Sequence, residues 1–165
     1  MRSSRRGAVD PFIVMDVMER ARAAEALAPL AEEHQLIVFA DEIYDQMLYE
    51  GAEHVPMATL VEDTLCATFS GLSKIYRACG YRVGWVAFSG DREHAADYLH
   101  AVELLTSLRL CSNVPGQWAV QTALGGYQSV RQLTAPGGRL FQSRQAVLDG
   151  VQELAAGELL QDGQA

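Results

Sequence analysis

Lysine is nearly missing from this chain: of its thirteen basic residues twelve are arginine and one, Lys74, is lysine. Twenty-one acidic residues outnumber them, for a formal charge of −8. That balance argues against a general nucleic-acid binder, whose phosphate contacts need clustered positive charge. Cysteine is scarce too. Cys66, Cys79 and Cys111 form no CxxC pair, which excludes a disulfide framework and a zinc ribbon and predicts reduced thiols in a cytoplasmic protein. The four histidines (His34, His54, His94 and His100) lack the HExxH spacing, so no metal site is expected. No apolar run approaches the length of about eighteen residues that a membrane span needs. Arg2, Arg5 and Arg6 imitate the start of a secretory signal, but Asp16 interrupts the following apolar stretch too early, and the first residues read as a disordered tail.

Several catalytic motifs are also absent. A Walker A loop fails because Gly71 precedes Leu72-Ser73-Lys74, and a nucleophile elbow fails because Ile75 stands where its last glycine belongs. An SxxK motif fails at Gly71, and there is no GxGxxG.

What is present is a chain of 165 residues, 49% hydrophobic and 21% charged, enough for one domain with a real core or one domain with an appendage. Residues 10–34 carry apolar positions at helical spacing, with Asp10-Pro11 as the start, and Pro29 is expected to bend or break the stretch into two helices. Leu36 to Ala40 is a continuous apolar run, the pattern of a strand covered on both faces in a parallel sheet flanked by helices. Leu65–Phe69 and Val83–Phe88 predict two further strands. Helical sequence follows from Asp91, as N-cap, to about Leu110, then over 115–124, 127–134 and 139–155. Asn113-Val114-Pro115-Gly116 and Pro136-Gly137-Gly138 separate these helices, and Gly157 to Ala165 reads as frayed. The fold class is α/β.

In open α/β sheets ligands sit beyond the carboxyl ends of the strands. Two of the predicted strands end in polar clusters, Asp41-Glu42-Ile43-Tyr44-Asp45 and Ser70-Gly71-Leu72-Ser73-Lys74. Taken singly, Asp41 is as readily a helix cap and Lys74 a surface amine. The arginine bias gives Lys74 more weight. A solvated cation can be either residue, whereas a nucleophilic amine cannot be arginine, whose guanidinium does not deprotonate in proteins.

These residues, with Gly80-Tyr81-Arg82-Val83-Gly84-Trp85, Arg109 to Gln117 and Ala123-Leu124-Gly125-Gly126-Tyr127-Gln128, resemble the fold-type I pyridoxal-phosphate aminotransferases of class I/II, especially the alanine and glutamate–pyruvate branch. The resemblance runs over about residues 36–145. It implies part of the large domain of a pyridoxal-phosphate-dependent transferase, with a mostly parallel sheet. Residues 1–35 would be a divergent N-terminal segment, 36–136 the partial cofactor-binding domain, and 137–165 a linking helix and the start of a small domain.

By the same resemblance Lys74 is the catalytic amine that bonds to pyridoxal 5′-phosphate and moves the substrate proton. Asp41 pairs with the pyridinium nitrogen, Tyr44 bonds the ring oxygen, Arg82 clamps the phosphate, and Ser73 and Ser70 add hydroxyl donors. The implied reaction is transamination of a small amino acid, such as alanine, with a 2-oxo acid in a cytoplasmic homodimer, with the Ser112–Gln117 turn near the subunit interface. Some family features have no counterpart here: the glycine-rich phosphate turn, the ring-stacking aromatic, the asparagine–proline–threonine–glycine segment and the arginine that holds the substrate carboxylate. Gly71 also stands where many relatives carry serine. Their lack predicts a truncated member that binds cofactor weakly and turns over poorly, if at all. The alternative is an inactive fragment or an interaction module that pairs through the retained dimer surface.

Overall fold

The apolar runs of the sequence become a three-stranded sheet, and the sequence after it becomes helices. The computed structural model describes residues 17–162. In chain order its elements are α1 (Val17–Glu33), β1 (Val38–Asp41), β2 (Leu65–Gly71), β3 (Gly84–Gly90), α2 (Ala96–Ser107), α3 (Val114–Gly125), α4 (Val130–Thr134) and α5 (Arg139–Asp162). The Asp10-Pro11 helix start and the N-terminal tail reading lie outside the described residues.

β2 is the central strand. β1 lies parallel to it, with Val38 opposite Cys66 and Asp41 opposite Phe69. β3 lies antiparallel on its other side, with Leu65 opposite Gly90 and Gly71 opposite Gly84. The described sheet is therefore mixed, and the parallel arrangement expected from the sequence holds for β1 and β2 alone. The short link 72–83 turns the chain straight back, whereas the longer link 42–64 leaves room for the crossover that a parallel pair requires. β2 supplies the centre of the core through Leu65, Cys66 and Ala67, all buried. Ala28 of α1 and Val61 pack with Cys66, and Val38, Ala40, Met57 and Leu60 lie against that cluster. Fully burying a side chain the size of Val61 or Leu65 stabilises the fold by about 1.5–3 kcal/mol. α1 is fastened at its C-terminal end by Glu32, whose Oε1 accepts from the backbone N–H groups of Glu62 at 2.8 Å and Asp63 at 3.1 Å.

Four local expectations need correction. Pro29 does not divide the first helix; α1 is continuous through it, because proline there removes one donor near the end of an otherwise packed helix. β1 is not covered on both faces: Phe39 is 58% exposed and meets Phe69 and Tyr98 at ring-centroid distances of 5.8 and 6.5 Å. It has a single strand neighbour among the described residues, so an apolar run did not translate into two-sided burial. Asp91 does not cap α2. Its Oδ1 accepts from the N–H groups of Glu93 and His94, closing a local turn, and the helix begins five residues later. Finally, α5 runs through Gly157 to Asp162 rather than fraying there. Among the described residues no helix is long and apolar enough to cross a membrane, and no group of three metal-ligating side chains is assembled.

Candidate functional site

Strand direction decides which loops meet. β1 and β2, being parallel, finish at the same end of the sheet, and β3, being antiparallel, starts there. The residues closing β1, those closing and following β2, and those just before β3 therefore gather at one rim. A backbone bond from Glu42 N to Phe69 O, at 2.9 Å, ties the ends of β1 and β2 together. All six side chains singled out in the sequence, Asp41, Tyr44, Ser70, Ser73, Lys74 and Arg82, lie at this rim.

Asp41 is the last residue of β1, exposed, and its Oδ1 accepts from Ile43 N at 3.3 Å. That contact turns the chain, and the other carboxylate oxygen has no hydrogen-bond partner among the described residues. Tyr44 stands on the same turn and is 52% exposed. Lys74 is exposed on the loop after β2, and its Nζ lies 5.9 Å from the centroid of the Tyr44 ring. An ammonium at that distance over an aromatic face is attracted by the ring quadrupole. Two loops far apart in sequence thus bring an amine and a phenol together. Ser70 sits opposite Trp85 in the β2–β3 ladder, and both Ser70 and Ser73 are half-buried. Arg82 occupies a left-handed conformation at φ 52°, with Nη1 donating to Cys79 O at 2.8 Å. No salt bridge joins Lys74 to Asp41, or Arg82 to Asp41, among the described residues.

Gly71 lets these loops approach. A Cβ there would stand 2.8 Å from Val83 O and 3.0 Å from Gly84 Cα, both backbone atoms. A serine at this position would force the backbone to shift. The Leu72 N–H donates to the same Val83 oxygen at 3.0 Å, closing the loop that holds Lys74 and Arg82.

Some contributors were not singled out in the sequence. Glu42, between Asp41 and Tyr44, accepts from Met57 N at 2.8 Å through Oε1, while its Oε2 lies 3.2 Å from His54 Nε2. It pins the 54–57 segment against the end of β1. Nothing at a spacing of twelve or fifteen residues marks such a pair in sequence. Asn113 was read as part of a helix break and of a turn near a subunit interface, not as a partner of Arg82, yet its Nδ2 donates to Tyr81 O at 2.6 Å, beside Arg82. Behind Tyr44, burial pushes the Asp45 carboxyl above the usual carboxylate range, and burial together with the Asp45 charge raises the Tyr76 phenol. Asp41 and Tyr44 line a shallow recess with Glu42, Met47, Val55 and Met57.

One rim thus offers an amine, a carboxylate, a phenol, a guanidinium and two hydroxyls. A family model for aminotransferase class I and II matches residues 20–164. The alanine aminotransferase of Mycobacterium tuberculosis is 52% identical over 118 residues, which make up 72% of this chain and 28% of that protein. The glutamate-pyruvate aminotransferase AlaA of Escherichia coli is also 52% identical over 118 residues, 72% of this chain and 29% of that one. Among solved structures, an aminotransferase from Escherichia coli superposes with a TM-score of 0.73 at 50% identity, covering 75% of this chain and 31% of that chain. An alanine aminotransferase from Pyrococcus furiosus gives 0.63 at 33% identity, covering 68% and 30%. The chain spans less than a third of the length of these relatives.

Proposed function

This chain belongs to the aminotransferase class I and II family, and on that premise we propose that its rim is the lysine-bearing side of a pyridoxal-phosphate site for transamination between a small amino acid, such as alanine, and a 2-oxo acid. The observation that carries the proposal is the placement of Lys74, the chain's only lysine, beyond the carboxyl end of β2 with its Nζ over the Tyr44 ring. The alanine and glutamate-pyruvate aminotransferases among the relatives support the choice of substrates. Residues 36–136 would form part of the cofactor-binding domain, and 137–165 would lead into a smaller one. A cytoplasmic homodimer is part of the same proposal.

The donor set fits the cofactor group by group. Arg82 spends one guanidinium N–H on Cys79 O, which leaves the rest of its fork for a phosphate oxygen pair. Ser70 and Ser73 add hydroxyl donors from the strand end beside it. The Asp41 carboxylate has an oxygen free to hold a proton on a ring nitrogen, and Tyr44 Oη can donate to a ring oxygen. Lys74 Nζ, the one side-chain primary amine, would bond an aldehyde carbon and would take up and return a substrate proton. When bound, pyridoxal phosphate supplies that aldehyde and an electron-withdrawing ring.

The test is covalent trapping. The chain is incubated with pyridoxal 5′-phosphate, reduced with borohydride, digested and mapped by mass spectrometry, beside an assay with alanine and 2-oxoglutarate. Reductive label on Lys74 is expected, together with its loss in Lys74→Arg. Label confined to the α-amino group, with Lys74 unmodified, would overturn the proposal. A second reading, an interaction module without turnover, is favoured by the exposure of Leu110 at 88% and Trp118 at 69%. Label on Lys74 with turnover would exclude it.

A further inference from the structure

Arg82 holds a backbone conformation, φ 52° and ψ 45°, that residues with side chains rarely keep unless their surroundings impose it. Its own turn supplies only local bonds, Tyr81 N to Ala78 O at 3.1 Å and Arg82 N to Cys79 O at 3.3 Å. The outside restraint comes from the start of α3. Asn113 Nδ2 donates to Tyr81 O at 2.6 Å, the carbonyl of the peptide that enters Arg82. The same side chain turns its Oδ1 to Gly116 N at 3.1 Å and caps α3. Gly116 is buried, and a Cβ on it would overlap the Val83 side chain and approach Tyr81 O at 3.2 Å. The helix end therefore bears on the residues before and after Arg82 at once.

We propose that Asn113 is a positioning residue: its amide clamps the Tyr81 carbonyl and so holds Arg82 in the conformation that offers its guanidinium to a phosphate group. This rests on the reading of Arg82 as the phosphate anchor. Two duties of one side chain have to be separated, because capping α3 is merely structural. Serine separates them. It ranks with asparagine as an N-cap, is equally neutral and keeps an oxygen for Gly116 N–H, but it is shorter and has no amide to reach Tyr81. Threonine does the same at slightly lower rank.

The experiment compares binding of pyridoxal 5′-phosphate with that of pyridoxal, which lacks the phosphate, in the wild-type 165-residue chain, Asn113→Ser, Asn113→Thr and Arg82→Ala. Amide hydrogen exchange of the 76–84 and 65–71 segments is followed in parallel. The wild-type chain should prefer the phosphorylated compound, and both Asn113 variants should lower that preference about tenfold, the worth of one hydrogen bond, with pyridoxal affinity unchanged. Exchange should quicken over 76–84 and stay unchanged over 65–71. An unchanged preference, with or without quickened exchange, would overturn the proposal by reducing Asn113 to a helix cap. A wild-type chain without preference, matching Arg82→Ala, would remove the phosphate anchor itself and the inference with it. Trapping on Lys74 would then still report independently on the cofactor reading.

Discussion

Glu42→Ala should cost this chain about 2 kcal/mol, and the number follows from what the carboxylate touches. Its Oε1 is the acceptor for the Met57 N–H at 2.8 Å, in half-buried surroundings. Leaving a buried N–H without a partner costs about 1–3 kcal/mol, and partial access to water places this one in the lower half of the range. The contact of Oε2 with His54 Nε2, at 3.2 Å with the carboxylate side chain 12% exposed, adds at most about 1 kcal/mol. Glu42→Gln keeps an oxygen for Met57 and forfeits only the charge, so its cost should be about half as large. The assay is urea unfolding followed by tryptophan fluorescence, with Trp85 beside Tyr76 as a reporter of the rim. With a slope of about 2 kcal/mol per molar, the alanine variant should move the midpoint down by about 1 M with the slope unchanged. An alanine variant within about 0.5 kcal/mol of wild type would refute the reasoning, as would a glutamine variant equally damaged.

Gly71→Ala should destabilise the chain by about 1–3 kcal/mol, since the new Cβ meets backbone on two sides, and a wild-type melting curve would refute the packing argument. Acid should act through Glu32 and Asp91. Backbone N–H donors hold both carboxyls below their usual range, for Glu32 those of Glu62 and Asp63, and for Asp91 chiefly that of His94, helped by its ring. A depressed folded value means that their contribution is complete above the unfolded value of about 4 and is lost as pH falls through the folded one. The pair Glu32→Gln and Asp91→Asn should lower the plateau above pH 6 and flatten the acid limb of a stability–pH curve, and an unchanged limb would contradict this. Trapping at Lys74 and the phosphate preference of the Asn113 variants complete the set.

Much of the architecture was legible because each strand is a continuous apolar run closed by polar residues. The runs beginning at Leu36, Leu65 and Val83 became β1, β2 and β3 within a few residues. The direction of β3 was not legible, because an apolar run carries no sign; its link and partner decide that. Nor was the exposure of Phe39, since burial belongs to neighbours and not to the strand itself. Pro29 misled because its penalty is local, while the packing of Ala28 and Ala31 on either side of it is tertiary. The residues proposed to do chemistry stood out by type and by position at strand ends. Those that hold them did not. Glu42 reaches Met57 across fifteen residues and Asn113 reaches Tyr81 across thirty-two, and no local pattern announces such bonds.

The reversal of the chain between β2 and β3 has a mechanical corollary. Gly71 opposite Gly84 shuts the 72–83 loop at its neck, so Lys74 and Arg82 ride on one closed ring of chain. The other end of the same ladder, Leu65 opposite Gly90, is where fraying from the turn at Asp91 would begin. For that fraying to reach the ring it must unzip β3 from β2 along its whole length, through the buried Cys66 and Ala67. Fraying that starts at Asp91 thus leaves the amine and the guanidinium on their closed ring until the β2–β3 pair itself comes apart.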